Sequence, residues 1–358
     1  MKFAYWNTNL GGVLFSAIPQ QAEPDLAAQV EVARRAEAAG FDYTLTAARF
    51  ISTTGSSPEM YDALASSAVI AASTSRLNVI AALHPGLWHP AMIAKFAAAI
   101  SIASGGRFHI NVISAWFKDE FLRLGEPWLD HDERYRRSAE FVTVLRGLLK
   151  GEQFSFAGDF YRVRDLTFRP APAHQIEIFQ GGSSLAARAL AARQTDWYFM
   201  NGDTPEGVAQ QIAEVRKLAE PLGRKPRFAV NAFVVLRESE GAAAEVLDRI
   251  LAEANTDAVE AFRKHAQGAG ASTAERIGMW ANSSFANLVQ PNDGFKTGLI
   301  GTADQIRERI RALEAAGVDL VLCGFVDFLE EPAAFGASVI GPLLSSGRAD
   351  HRLRVVSS

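Results

Sequence analysis

Short runs rich in β-branched and aromatic residues alternate with longer runs of helical period almost from one end of the chain to the other. Lys2–Trp6 reads as a first strand, and Leu26–Ala39 as a helix that Gly40 stops, because glycine enters the left-handed C-terminal turn without strain. Further strands are expected at Tyr43–Thr46, Leu77–Ala82, Phe108–Ile113, Glu177–Gln180, Trp197–Phe199, Arg227–Leu236 and Val318–Gly324. Their partner helices are expected at Met60–Ala72, Pro90–Ala103, Arg134–Leu149, Ser183–Ala192, Pro205–Leu218, Gly241–Ala252 and Glu331–Leu344. Eight strand-then-helix units without a Gly-x-Gly-x-x-Gly fingerprint predict an α/β fold closed as a (β/α)8 TIM barrel, in preference to an open dinucleotide-binding sheet.

Two stretches break the rhythm. Phe154–Val163 places a Gly158-Asp159 turn between alternating aromatic arms, the pattern of a surface β-hairpin. The least regular stretch, residues 255–299, precedes an extra helix expected at Thr302–Ala316. An insertion of that length at the catalytic end of a barrel is a candidate lid, with a plain connecting loop as the alternative.

Composition narrows the class. At 358 residues, with 48% hydrophobic and 21% charged positions, the chain can bury a large core, read here as a single barrel domain over residues 1–358. A net charge of −4 gives no electrostatic footprint for nucleic acid or an anionic membrane. The lone Cys323 sits in an apolar run and reads as a small buried hydrophobe. Met1–Trp6 lacks the apolar segment of a signal peptide, and no run is long enough to span a bilayer, so a cytoplasmic protein is expected.

The chemistry concentrates at strand ends. Ile110–Phe121 runs from an apolar strand into asparagine, tryptophan, lysine and glutamate, which are poor core material where a parallel barrel binds its ligands. Gly181-Gly182-Ser183-Ser184 ends the fifth strand and opens a helix. Its glycines and free N–H groups suit a phosphate, although a serine-capped turn would look the same, and the barrel context favours the phosphate. Arg134 and Tyr135 lie in the first turn of their helix with Asp132 as a cap, whereas Arg136 and Arg137 read as a solvated face. Trp6, Trp116 and Phe325 fall at or beyond strand ends, with Trp197 near them, and with His84 they would ring an apolar pocket over a planar cofactor. His84 is either an acid or donor there or a structural histidine. His131-Asp132-Glu133 has no second ligand cluster, so no metal site is expected.

Asn111–Glu120, Arg134-Tyr135, Gly181–Ser184 and the insertion before Gly301–Ile306 together resemble the bacterial-luciferase-like flavin monooxygenases. Within that family the stretches 125–138, 177–184, 196–199 and 292–296 are most similar to the FMNH2-dependent enzymes that cleave a C–S bond of dimethylsulfone. The resemblance implies reduced FMN across the barrel mouth, its ring near Ala48, Arg49, Ala82, Asn111 and Glu120. It places the ribityl phosphate on Arg134, Tyr135, Gly182, Ser183 and Ser184. It also implies a non-proline cis peptide at Ala81-Ala82.

The activity implied is two-component. A separate NAD(P)H-dependent reductase supplies FMNH2, O2 is the co-substrate, and dimethylsulfone gives methanesulfinate and formaldehyde. His84, Asn111 and Trp116 would be the catalytic set, with Trp6, Trp197, Phe325 and the lid residue Lys296 completing the substrate space. Lys296 and Phe335 stand where relatives acting on alkanesulfonates carry arginine and tyrosine, which suits an uncharged sulfone. A homodimer or homotetramer is expected from the apolar helices. Alternatives are a pyrimidine-type heterocycle oxygenase, which shares the Asn111, Trp116, Glu120, Tyr135 and Ser184 positions, a deazaflavin-dependent dehydrogenase, which shares the barrel, and a flavin-binding barrel without chemistry, against which the polar residues at strand ends speak.

Overall fold

A computed structural model describes residues 1–19, 25–52, 60–270, 280 and 283–345. Eight parallel strands close into a barrel: β1 (Lys2–Trp6), β2 (Tyr43–Thr46), β3 (Asn78–Leu83), β4 (Phe108–Val112), β5 (Ile178–Gly181), β6 (Trp197–Met200), β7 (Arg227–Phe233) and β8 (Leu320–Gly324). Strands adjacent in this order are adjacent in space, and β1 closes the ring against β8 with Lys2 opposite Leu320 and Tyr5 opposite Cys323.

Strand parity sorts the side chains. Phe3 and Tyr5 face outward into a core shared with Val32, Ala36, Phe41 and Phe335. Ala4 and Trp6 face inward with Leu45, Ile80, Phe199 and Leu322. Both faces are buried, so the strands read as nearly continuous apolar runs. The helices are started by side chains that accept otherwise orphaned N–H groups: Asp25, Ser184, Thr204 and Ser239. Thr302 and Gln305 form a reciprocal capping box, and Pro90 and Pro205 stand in first turns.

The hairpin forms as expected, Phe154–Ala157 pairing antiparallel with Arg162–Leu166. Other boundaries differ. The helix expected from Arg134 begins at His131, and a short helix, Lys118–Arg123, occupies what reads as a turn. The seventh strand leaves the barrel after Phe233, and Val235–Leu236 pairs instead with Ile300–Gly301 in a separate parallel ladder. The insertion contributes helices Thr256–Gly270 and Phe285–Leu288 and a 3-10 turn, Gly294–Thr297. Its residues 271–279 and 281–282 lie outside the described residues. The Ala81-Ala82 peptide is trans, against expectation. Arg169-Pro170 is the one cis bond among the described residues. No helix among them is long and apolar enough to cross a membrane.

The floor of the barrel is polar. Glu177 accepts hydrogen bonds from Trp197 Nε1 (3.0 Å) and Tyr43 Oη (3.3 Å) and pairs with Arg227. His109 sits beside it as a neutral ring, its Nε2 donating to Asn78 Oδ1 (3.2 Å) and its Nδ1 accepting from the Glu177 N–H (3.2 Å). Burial holds the His109 pKa down from 6.5 to about 4 despite the neighbouring Glu177 charge. Between those values the unfolded chain binds a proton that the fold excludes. The stabilisation is therefore complete above pH 6.5 and lost as pH falls toward 4. Denaturant unfolding should lose up to about 3 kcal/mol per such histidine over that range. His109→Gln should flatten the slope; an unchanged slope would mean that His109 titrates normally.

Candidate active site

The C-terminal mouth of the barrel holds a cavity of about 500 Å³, within the usual range for small-molecule sites. Trp6, Leu45, Ala82 and Asn111 supply its base from β1 to β4, and the 10–17 and 47–52 segments its sides. The insertion supplies Asn255, Ala258, Phe262, Trp280 and residues 290–292. Of the residues expected to bind or react, Trp6, Ala48, Arg49, Ala82, Asn111 and Trp116 meet here.

Trp116 is aimed by its own backbone. Ala115 adopts a left-handed φ of 65°, a conformation that costs a non-glycine residue about 1–2 kcal/mol and persists only where packing enforces it. The indole then packs against Phe117, Phe262 (5.0 Å between centroids) and Trp280 (5.2 Å).

Over its face, at 4.2 Å, lies the guanidinium of Arg49, the only charged side chain among the described lining residues. Arg49 is held from behind. Its Nη1 donates to the Ala48 carbonyl (3.1 Å), lies 3.2 Å from His84 Nε2, and is 3.6 Å from Glu120 Oε2. Glu120 is fully buried and also accepts the Phe50 N–H at 2.8 Å. His84 therefore stands behind the wall. Burial and then the Arg49 charge hold its pKa down to about 4, so the ring is neutral and presents Nε2 to Arg49 while Nδ1 faces the Ile113 carbonyl.

Three polar atoms of the cavity wall are buried without a partner among the described residues: the acceptor Asn111 Oδ1 and the donors Gln290 Nε2 and Trp280 Nε1. Leaving such groups bare costs about 1–3 kcal/mol each, so they mark where a ligand completes the wall.

One strand further round, at the end of β5, a second group forms. Ser184 caps helix Leu185–Gln194 and hydrogen-bonds the Tyr135 hydroxyl, whose pKa burial raises. Gly182 has a φ of 133°, and a Cβ there would lie 2.6 Å from Tyr135 Oη, so only glycine fits. Ser183 is exposed beside it. Arg134 is buried with its guanidinium 4.3 Å from the Trp128 ring, and burial lowers its pKa to about 10. Gly182, Ser184 and the Tyr135 hydroxyl thus meet at a helix N-terminus, while the neighbouring Arg134 donates from Nη1 to the Leu129 carbonyl at 2.9 Å.

Four expectations fail on position. Phe325 follows β8 with outward parity and packs against Phe41, Phe328 and Phe335, away from the mouth. Trp197 faces inward but opens β6 at the barrel floor, where it stacks on Phe179 at 5.0 Å. Lys296 is absent from the described cavity wall, which residues 290–292 occupy; its Nζ faces Asp293 Oδ1 at 3.4 Å. Arg137 is buried against Gly86 and Phe121, while Arg136 alone of that pair is solvated. No cluster able to hold a metal occurs among the described residues.

Sequence reasoning missed Asn231, Gln290, Phe262 and Trp280. The two aromatics lie inside the insertion, where no strand pattern locates them. Asn231 was visible as a polar residue interrupting the apolar seventh strand.

A closed parallel barrel with an aromatic cavity at its C-terminal mouth has the site layout of a TIM-barrel enzyme. The luciferase-like monooxygenase family model matches residues 8–320, and the chain belongs to that family. It is 47% identical to the FMNH2-dependent dimethylsulfone monooxygenase of Pseudomonas putida, over 99% of this chain and 98% of the relative. Identity to the protein of the same description from Pseudomonas fluorescens (strain Pf0-1) is 48%, over 95% of this chain and 93% of that one. Among solved structures, a riboflavin lyase with modified FMN and riboflavin superposes with a TM-score of 0.84 at 18% identity, covering 97% of this chain and 92% of that chain. That likeness shows the shared fold.

The Arg49–Glu120 pair generates a prediction. Glu120→Leu would leave a buried guanidinium without its counter-ion, which typically destabilises by about 3–5 kcal/mol. Urea unfolding should show a loss of that order; a loss below about 1 kcal/mol would mean that Arg49 does not depend on Glu120.

Proposed function

We propose that this chain is the oxygenase of a two-component system, a single-domain cytoplasmic barrel that uses reduced FMN and O2 to cleave a C–S bond of dimethylsulfone. The balanced conversion consumes the sulfone, O2 and FMNH2 and yields methanesulfinate, formaldehyde, FMN and water. The observation that carries this reading is the 47% identity over nearly the whole length of the P. putida enzyme.

The residues present fit the cofactor. Asn111 Oδ1, Gln290 Nε2 and Trp280 Nε1 offer one acceptor and two donors to a heteroaromatic ring and a small polar substrate. The Gly182 cradle, with Ser183, Ser184, Tyr135 and Arg134, suits a phosphate tail. Bound reduced flavin would supply the electrons and the activation of O2.

The protein's share is placement and water exclusion. Ala48 and Ala82 leave room for a flat ring, and Trp116, Phe262 and Trp280 give the sulfone's methyl groups an apolar wall. Arg49 aims the one cation of the described wall at a sulfone oxygen, while Glu120 keeps the pair close to neutral. A neutral pair suits an uncharged substrate better than an anionic one. Neutral His84 orients the Arg49 guanidinium, and the insertion acts as the lid, its 290–292 strap over the mouth. An NAD(P)H-dependent FMN reductase is the partner, and the chain assembles as a homodimer or homotetramer.

A coupled assay with FMN, NADH, a generic flavin reductase, O2 and dimethylsulfone should give methanesulfinate and formaldehyde dependent on both this chain and FMN. Flavin binding without product would overturn the sulfone assignment. Tyr135→Phe and Ser184→Ala should each weaken FMN binding about tenfold, the size of one hydrogen bond to a charged group. Fluorescence titration checks this, and unchanged affinity would remove the phosphate cradle.

A further inference from the structure

Asn231, on the inward face of β7 near the mouth, has its amide fully committed. Its Nδ2 donates to Gln290 Oε1 at 3.1 Å and to the Asn292 carbonyl at 3.0 Å, while Oδ1 accepts the Trp6 indole N–H at 2.7 Å. A side-chain amide has two N–H donors, so none remains for a ligand. The residue's own carbonyl accepts from Thr297 Oγ1 at 2.6 Å, so Asn231 grips both ends of the 290–297 strap.

The strap is rigid around this point. Gln290 Oε1 also accepts the N–H groups of Asn292 (3.1 Å) and Gly294 (2.7 Å), and the Asn292 carbonyl takes the Gly202 N–H at 2.8 Å. A Cβ on Gly294 would lie 2.8 Å from the Phe233 nitrogen and 2.9 Å from Asn231 Nδ2, so the strap lies flat against β7. Gln290, Asn292 and Trp6 all line the cavity.

We propose that Asn231 is a positioning residue that couples the 290–297 strap to the Trp6 indole. Docking of the strap sets the ring that faces the substrate and keeps its N–H turned away from cavity water. The catalytic consequence rests on the proposed oxygenase function, whereas the link itself is a property of the protein without ligand. Because coupling free energies are reciprocal, cutting the link at Trp6 must loosen the strap as surely as cutting it at Asn231.

Hydrogen exchange on the ligand-free chain tests this with Trp6→Phe, Asn231→Asp and the double variant. Trp6→Phe removes the indole donor while keeping an aromatic, though smaller, ring; the carboxylate introduced by Asn231→Asp cannot donate to the strap. Trp6→Phe should raise exchange of the Asn292 and Gly294 amides about fivefold, the scale of one neutral hydrogen bond, and Asn231→Asp, which removes both strap donors, by at least as much. The double variant should exchange no faster than the faster single. Wild-type exchange in Trp6→Phe, or multiplied effects in the double variant, would overturn the proposal. If Asn231→Asp does not fold, Trp6→Phe alone decides. In single turnovers with dimethylsulfone, both singles should lower the ratio of methanesulfinate to hydrogen peroxide by a similar factor, and the double variant no further. A wild-type protein that makes no methanesulfinate would remove the sulfone reading while leaving the exchange result to decide the link.

Discussion

Closure of the parallel sheet is the constraint on which everything else in this molecule rests. With β1 bonded to β8, the barrel sheet has no open edge, and both faces of its strands are largely buried. The barrel strands therefore carry few polar side chains along their length, Thr44 and Asn231 among them, and most others lie toward the two ends. All eight strands run the same way, so the ends differ in kind. The floor gathers strand beginnings, and the mouth gathers loops with room for Trp116, Arg49 and the insertion.

The two ends satisfy their polar groups differently. At the floor, Glu177, Arg227, Tyr43, Trp197, His109 and Asn78 form a network whose polar groups find protein partners, Lys2 and the Asp42 carbonyl extending it. At the mouth, Arg49 and Glu120 are paired, yet Asn111 Oδ1, Gln290 Nε2 and Trp280 Nε1 are buried without partners among the described residues. A closed network specifies packing, whereas orphaned atoms around a cavity specify a ligand. The same buried histidine chemistry serves both ends. His109 locks the floor, and His84 presents a neutral nitrogen to Arg49 because burial suppresses its charge.

The barrel and its order were legible in the sequence because each strand-then-helix unit repeats one pattern, and Trp116 follows directly from a strand end, whereas Arg49 came only through the family resemblance. Legibility failed where the reasoning ignored depth and parity. Trp6, Trp197 and Phe325 look alike as aromatics near strands, yet only Trp6 combines inward parity with a C-terminal position. Trp197 has the parity at the wrong end, and Phe325 has the end with the wrong parity. Lys296 was expected in the substrate space because related enzymes carry arginine at the corresponding lid position, but the 3-10 turn that carries it directs it to Asp293. Asn231 was passed over because a polar residue within an apolar strand looks like a defect until its partners, 59 and 61 residues further along and 225 residues earlier, are in place.

That asymmetry explains how the site is built. A rigid barrel can hold Asn111 and Trp6 in fixed places, but a bare mouth is open to water, and water spoils oxygen chemistry on a reduced cofactor. The insertion answers this with aromatic surface, Phe262 and Trp280 closing on Trp116, and each such ring gains about 2–3 kcal/mol by leaving water. Apolar burial has no direction and would settle in several registers. The amide of Asn231 removes that freedom, because its two N–H groups donate to the Gln290 side chain and the Asn292 carbonyl in only one arrangement. The aromatic contacts provide the driving force for covering the mouth, and one side-chain amide on β7 fixes where the cover sits.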